Sequence, residues 1–170
     1  MGERVSGVPT FEAWTAARVP ALLRFAVLVT GSRAEAEDAV QAALERAYVR
    51  WDRVARTEDP DAYVRRMIAN AHVSLWRRGR RREVPVAEVR GSEADPTGAA
   101  SDPMEASDRA DVVRRSLAGL SRAQRAAVVL RFYEERDDAE IAALLGCAEA
   151  TVRSHVHRAL VAMRKELGDD

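Results

Sequence analysis

The chain has 170 residues, 47% hydrophobic and 32% charged, and its 27 basic and 27 acidic side chains cancel to a formal net charge of zero. That length suits one ordinary domain or two small ones, and the composition is that of a compact, helix-prone soluble protein. A single cysteine, Cys147, excludes an internal disulfide framework or a cysteine metal cluster.

The first residues, MGERVSGVPTFEAW, lack the basic-then-apolar pattern of a signal peptide. No apolar run approaches the ~20 residues of a membrane span, so no membrane insertion and a cytoplasmic location are expected. Residues 11–29 predict one helix or two, with Pro20 opening the second or kinking the pair, and Gly31 ends the unit. Ser32 and Glu35 have capping-box spacing for the next helix. There Val40, Ala43, Leu44, Ala47, Tyr48 and Trp51 form a wide apolar stripe expected to face a core. Its outer face carries Glu37, Asp38, Gln41 and Glu45, either plain solvated surface or a dock for a basic partner.

Residues 52–59 read as a polar loop, and Asp59 with Pro60 as the cap and first turn of a helix from Asp61 to about Arg78. Val64, Met67, Ile68, Ala71 and Leu75 are expected to pack inward, and Arg66, Asn70, Ser74 and Arg77 to lie outside. Trp76 and the run RRGRRR at 77–82 close the helix. A basic face with an amide and a neighbouring aromatic suits a nucleic-acid strand; the plainer reading is a helix end whose cations complement the macrodipole. Residues 88–108 hold six acidic side chains against one arginine, without periodicity. They read as a flexible acidic linker between residues 1–87 and 109–170.

A helix from about Arg109 to Ala118 follows, stopped by Gly119. Ser121 with Gln124, and Asp137 with Glu140, cap the next two helices, the first of which carries Ala127, Leu130 and Tyr133. The stretch from Asp137 to Leu167 has the layout of a helix-turn-helix. Ala142 lets a second helix cross closely, Gly146 supplies the left-handed turn, and Val152 points back into the angle. Val152, Val156, Leu160 and Met163 mark the inner face of the second helix, from about Ala148 to Glu166. The remaining face carries Thr151, Arg153, Ser154, His157 and Arg158, side chains suited to base edges and phosphates in a major groove. A buried helical hairpin with a solvated basic face would show the same pattern. The expected fold is thus all-α: two small helical domains joined by a flexible acidic linker, the C-terminal one a helix-turn-helix.

No nucleophile–base pair, phosphate-binding glycine loop or metal-ligand cluster is legible, so no enzyme, cofactor or metal is expected. His155 and His157, two apart on a helix, diverge; His72 reads as packing and Cys147 as a small residue filling a turn. A stand-alone dimeric regulator on a palindromic site is the alternative to a two-surface DNA binder, and a nuclease is a remoter one.

Three segments in order carry a resemblance to a known family: AEAEDAVQAALERAYVRW at 34–51, the helix with its basic run at 60–82, and LSRAQRAAVVLRFYEERDDAEIAALLGCAEATVRSHVHRAL at 120–160. Together they resemble bacterial RNA polymerase sigma factors of the small extracytoplasmic-function group, in particular the sigma-E-like subgroup common in high-GC actinobacteria. The resemblance implies a non-catalytic specificity subunit that binds core RNA polymerase and opens promoter DNA. It implies that Asp38 and Gln41, with Glu45 beside them, contact the clamp of the largest polymerase subunit. It implies that Asn70 meets an unstacked base of the minus-ten element while Arg66, Arg77 and Arg78, with Ser74, hold that strand, and that the loop at 52–59 forms a pocket for a flipped base. Thr151, Arg153, Ser154, His157 and Arg158 would read the minus-thirty-five element. A monomer when free is expected, and an anti-sigma protein is a partner common in the family. Promoter, regulon and inducing signal are not legible.

Overall fold

The computed structural model describes residues 9–82 and 108–168. The expected linker and the boundary at residue 87 lie outside these, except Asp108, which opens a helix. The described residues form helices α1 (Phe11–Thr30), α2 (Arg33–Val49), α3 (Trp51–Val54), α4 (Pro60–Arg82), α5 (Asp108–Ala118), α6 (Arg122–Phe132), α7 (Asp138–Leu145) and α8 (Glu149–Glu166). The all-α expectation is borne out.

α1 is one helix. The Thr10 hydroxyl accepts from Ala13 N, Pro20 sits inside on an exposed position without ending it, and Gly31 closes it at φ 74°. By length and a mean hydropathy of 1.3, α1 is apolar enough to cross a membrane. Here it is a core helix, with Trp14, Leu22, Phe25, Ala26 and Val29 buried where it packs on α2, α4 and α6. In α2, Ser32 accepts from Glu35 N at 3.4 Å, but the capping box is only half formed, because the Glu35 carboxylate pairs instead with Arg122. Val40, Ala43 and Ala47 are buried as expected, whereas Tyr48 is 60% exposed and leaves the stripe. Trp51 does not extend α2. It opens α3, one turn of helix where a loop was expected, and its indole N–H donates to the Pro9 carbonyl at 2.9 Å. Phe11 and Trp14 pack against its ring.

Asp59 caps α4, accepting from Ala62 N at 2.9 Å. Val64, Ile68 and Ala71 are buried as expected, but Leu75 is 49% exposed, and His72 and Val73 are buried instead. The inward face is wider than one stripe because α4 is covered from two directions. Ile68 and Val64 join α1 and α2, while Ala69 and Val73 meet α6, α7 and α8.

Both C-terminal capping boxes are complete, at Ser121–Gln124 and Asp137–Glu140. Gly146 ends α7 at φ 68°, with Gly146 N and Cys147 N both donating to the Ala142 carbonyl. Val152 is fully buried in the angle between α7 and α8, with Ala159 one face-repeat further on, and Val156, Leu160 and Met163 are half-buried. The two helical units share their apolar interior. One cluster joins Phe25, Val29 and Ala36 to Leu117, Leu120, Val128, Val129 and Ala159; the other joins Ala69 and Val73 to Ala126, Leu130, Ile141 and Val152.

Candidate nucleic-acid interface

Three surfaces hold the residues singled out from the sequence. On α2, Asp38, Gln41 and Glu45 are exposed, and the Gln41 amide donates to Glu45 at 3.1 Å. Beside them a groove runs between α1 and α2. Its floor is Phe11, Leu23, Val40, Leu44 and Tyr48, and Glu37, Gln41 and Glu45 line it from α2. An apolar floor with an acidic edge can take an amphipathic basic helix. The groove was not legible as such, because it depends on Tyr48 turning outward.

On α4, Arg66, Asn70 and Arg78 are exposed and Ser74 is half-buried. Spaced by four, Arg66, Asn70, Ser74 and Arg78 form one gently winding stripe. Arg77 departs from expectation: it is half-buried, and its Nη1 donates to the Leu144 carbonyl at 3.3 Å, at the end of α7. The turn of the helix-turn-helix therefore lies against the edge of the basic stripe. Arg136, from the stretch before α7, also comes near it; burial and the nearby Arg66 both lower its pKa.

On α8, Thr151, Arg153, His157 and Arg158 are exposed and Ser154 is half-buried. Arg153 Nη1 lies 3.3 Å from Asp138 Oδ2 and 3.7 Å from Glu149 Oε2. Asp138, in the first turn of α7, also pairs with Arg131. This carboxylate holds Arg153 at the start of the helix, with its side chain still 60% exposed.

The junction between the units was not anticipated. Arg125, only 7% exposed, donates to the carbonyls of Leu117, Thr30, Ala118 and Leu120 at 2.8, 2.6, 3.1 and 2.9 Å. Arg65 Nε meets Glu134 at 2.7 Å, and the guanidinium also lies 5.8 Å from the centre of the Tyr133 ring. Glu35 accepts from Arg122. His72 Nδ1 is 3.6 Å from Glu35, yet burial, with Arg122 and Arg125 adding repulsion, pushes its pKa down to about 4, so the imidazole is neutral near pH 7. Cys147 is half-buried, and burial pushes its thiol pKa up, away from the reactive thiolate. Among the described residues no three His, Cys, Asp or Glu side chains converge as metal ligands would.

Residues 11–82 match the family model for sigma-70 region 2, and residues 110–163 match that for sigma-70 region 4. The chain is 38% identical over 158 residues to the RNA polymerase sigma-E factor of Streptomyces avermitilis, covering 92% of this chain and 84% of that protein. It is 34% identical over 153 residues to the ECF RNA polymerase sigma factor SigL of Mycobacterium tuberculosis, covering 86% and 84%. Among solved structures it is similar to the sigma factor RpoE of Bartonella quintana, solved with the anti-sigma factor NepR, with a TM-score of 0.57, 25% identity and coverage of 94% and 98%. The stand-alone dimeric regulator gives way to these matches: the chain belongs to the sigma-70 family, as a promoter-recognising sigma factor of the extracytoplasmic-function group.

Proposed function

We propose that the three exposed surfaces divide the work of transcription initiation. The α2 face with Asp38, Gln41 and Glu45 docks on the clamp of core RNA polymerase. The α4 stripe with Arg66, Asn70, Ser74 and Arg78, joined by Arg77, holds the separated minus-ten strand. The α8 face with Thr151, Arg153, Ser154, His157 and Arg158 reads the duplex minus-thirty-five element. Residues 1–87 and 109–170 act as separate units in the open complex, tethered by residues 88–108. The protein supplies binding only, with the polymerase carrying the chemistry, and works in the cytoplasm. The Bartonella relative's complex with NepR supports an anti-sigma protein as a further partner.

The observation that carries this reading is the α4 stripe. It is a polar, basic face kept exposed on a helix otherwise covered from two directions. Opening duplex DNA breaks stacking worth about 1.4 kcal/mol per step. Capturing an unstacked base returns about 1–3 kcal/mol. Two or three captured bases therefore tip a local opening once polymerase holds the site in place. Run-off transcription with core polymerase and genomic promoter fragments tests the reading. The wild type should direct specific start sites, and Asn70→Ala should lower open-complex formation while leaving polymerase association intact. Specific, tight promoter binding by the chain without polymerase would count against it.

A further inference from the structure

One carboxylate joins three helices of the carboxy-terminal unit. Asp138, in the first turn of α7, pairs with Arg131 from the last turn of α6 and with Arg153 from α8. The Asp138 and Arg131 side chains are 21% and 31% exposed, so this half of the bridge is partly withdrawn from solvent. Arg153 is the outer member, and its Nη1 lies 3.3 Å from Asp138 Oδ2 and 3.7 Å from Glu149 Oε2. Both ion pairs therefore use the same nitrogen. They leave the Nε–Nη2 edge of the guanidinium, whose two parallel N–H groups match guanine O6 and N7 in a major groove.

We propose that Asp138, which lies outside α8, sets the sequence specificity of that helix: it holds Arg153 ready for one guanine of the minus-thirty-five element and withholds it from the phosphates. This role rests on the reading of α8 proposed above. A solvated arginine samples many rotamers, and a DNA phosphate satisfies it without conveying sequence. A carboxylate fixed behind the guanidinium changes both terms. It removes rotamer freedom before binding, so less is lost when the base contact forms. It also places negative charge on the side from which a phosphate would compete. The first turn of α7 carries Asp138 and Glu140 after the cap Asp137, and the first turn of α8 carries Glu149. The start of a helix ordinarily attracts a phosphate. At α7 the Asp137 carboxylate already accepts from Glu140 N at 2.8 Å, and its acidic neighbours repel the DNA backbone. Arg131 anchors the bridge to α6, whose Ala126, Ala127 and Leu130 are buried in the core. Asp138 is thus a positioning residue, acting through Arg153.

The test uses polymerase holoenzyme assembled with the full chain. A genomic promoter fragment selected by wild-type holoenzyme is remade with each single base-pair change through its minus-thirty-five element, and competition binding is measured on every version. Wild type should show one guanine whose replacement costs roughly 5–150-fold in affinity. Arg153→Ala should erase that preference and keep those at the other base pairs. Asp138→Asn should reduce it about two- to fivefold, while overall affinity rises and the slope of log K against log salt steepens by about 0.9 as the freed guanidinium takes a phosphate. Asp138→Glu, which keeps a carboxylate, should recover part of the preference. A merely structural role for Asp138 would lower every base preference and the overall affinity together, and that pattern overturns the proposed role. A guanine preference unchanged in Asp138→Asn, or one that persists in Arg153→Ala, overturns it as well. Wild-type holoenzyme that initiates transcription yet ignores every base pair of the element sinks the α8 reading itself, and the role of Asp138 falls with it.

Discussion

Arg125 reaches back across ninety-five positions of sequence to donate to the carbonyl of Thr30, 2.6 Å away, at the last turn of α1. The same guanidinium holds the carbonyls of Leu117, Ala118 and Leu120 in its own unit. Removing it strands four acceptors, three of them in buried bonds. Arg125→Ala should therefore destabilise the fold by about 3–5 kcal/mol, read as a lower urea midpoint. Arg125→Lys should rescue little, because a point-like ammonium cannot address four carbonyls in a fork. A loss below about 1 kcal/mol in Arg125→Ala would show that water replaces these bonds.

The glycines allow backbone strain to be separated from crowding. Gly31, Gly146 and Gly168 have nearly equal φ of 74°, 68° and 75°, but only Gly168 has nothing within 4 Å of an added Cβ. At Gly168 alanine should cost about 1 kcal/mol or less, from left-handed strain alone at the chain's end. At Gly31 and Gly146 the displaced guanidinium, of Arg125 and Arg77 respectively, adds to that, for a total of about 2–4 kcal/mol. Equal melting temperatures for the three variants would show that neither arginine is tightly seated.

His72 makes stability depend on pH. Its pKa falls from 6.5 to about 4 on folding because the ring is buried, and Arg122 and Arg125 add to the effect. Between those values the unfolded chain binds a proton that the folded one refuses. The contribution of neutral His72 is thus fully present above about pH 6.5 and is lost as pH falls toward 4, by up to about 3 kcal/mol. Urea unfolding from pH 7.5 to 4.5 should show this loss in the wild type and a flatter profile in His72→Gln. Parallel profiles would assign the acid sensitivity to other groups.

The duplex-reading face predicts a salt signature. Arg153→Ala or Arg158→Ala should weaken promoter binding by the polymerase complex and reduce the slope of log K against log salt by about 0.9 for each phosphate left without its arginine. Asp138→Asn should act oppositely on affinity, since it loosens the hold on Arg153. Its cost in stability should be about 1–2 kcal/mol, because the substitution also weakens the less exposed pair with Arg131 and removes a charge from the first turn of α7. A slope unchanged in both arginine variants would remove α8 from the phosphate-binding surface.

The sequence was most legible where structure is local. The Ser121–Gln124 and Asp137–Glu140 boxes, the Gly146 turn and the burial of Val152 all follow from residues three to ten apart. It was least legible where distant parts meet. Glu35 has the spacing of a capping partner, yet a remote arginine outcompetes the local backbone N–H for its carboxylate. Leu75 lies outside and Val73 inside because α4 is covered by a second unit that no periodicity announces. Arg77 has the spacing of the basic stripe, and only the position of Leu144 draws it aside. Of the candidate site, the exposed positions on α2 and α8 were readable as polar faces of amphipathic helices. The groove floored by Tyr48 was not, because an aromatic at stripe spacing reads as core.

The Thr30 carbonyl also sets an order of events during synthesis. At ~5–20 residues per second, the ribosome makes Arg125 roughly 5–20 s after Thr30. Until then the Thr30 carbonyl lacks its guanidinium partner, and Glu35 has no cation from α6. The amino-terminal half of this protein is thus born unfinished. Its last hydrogen bonds arrive with a segment translated long after its own helices can form.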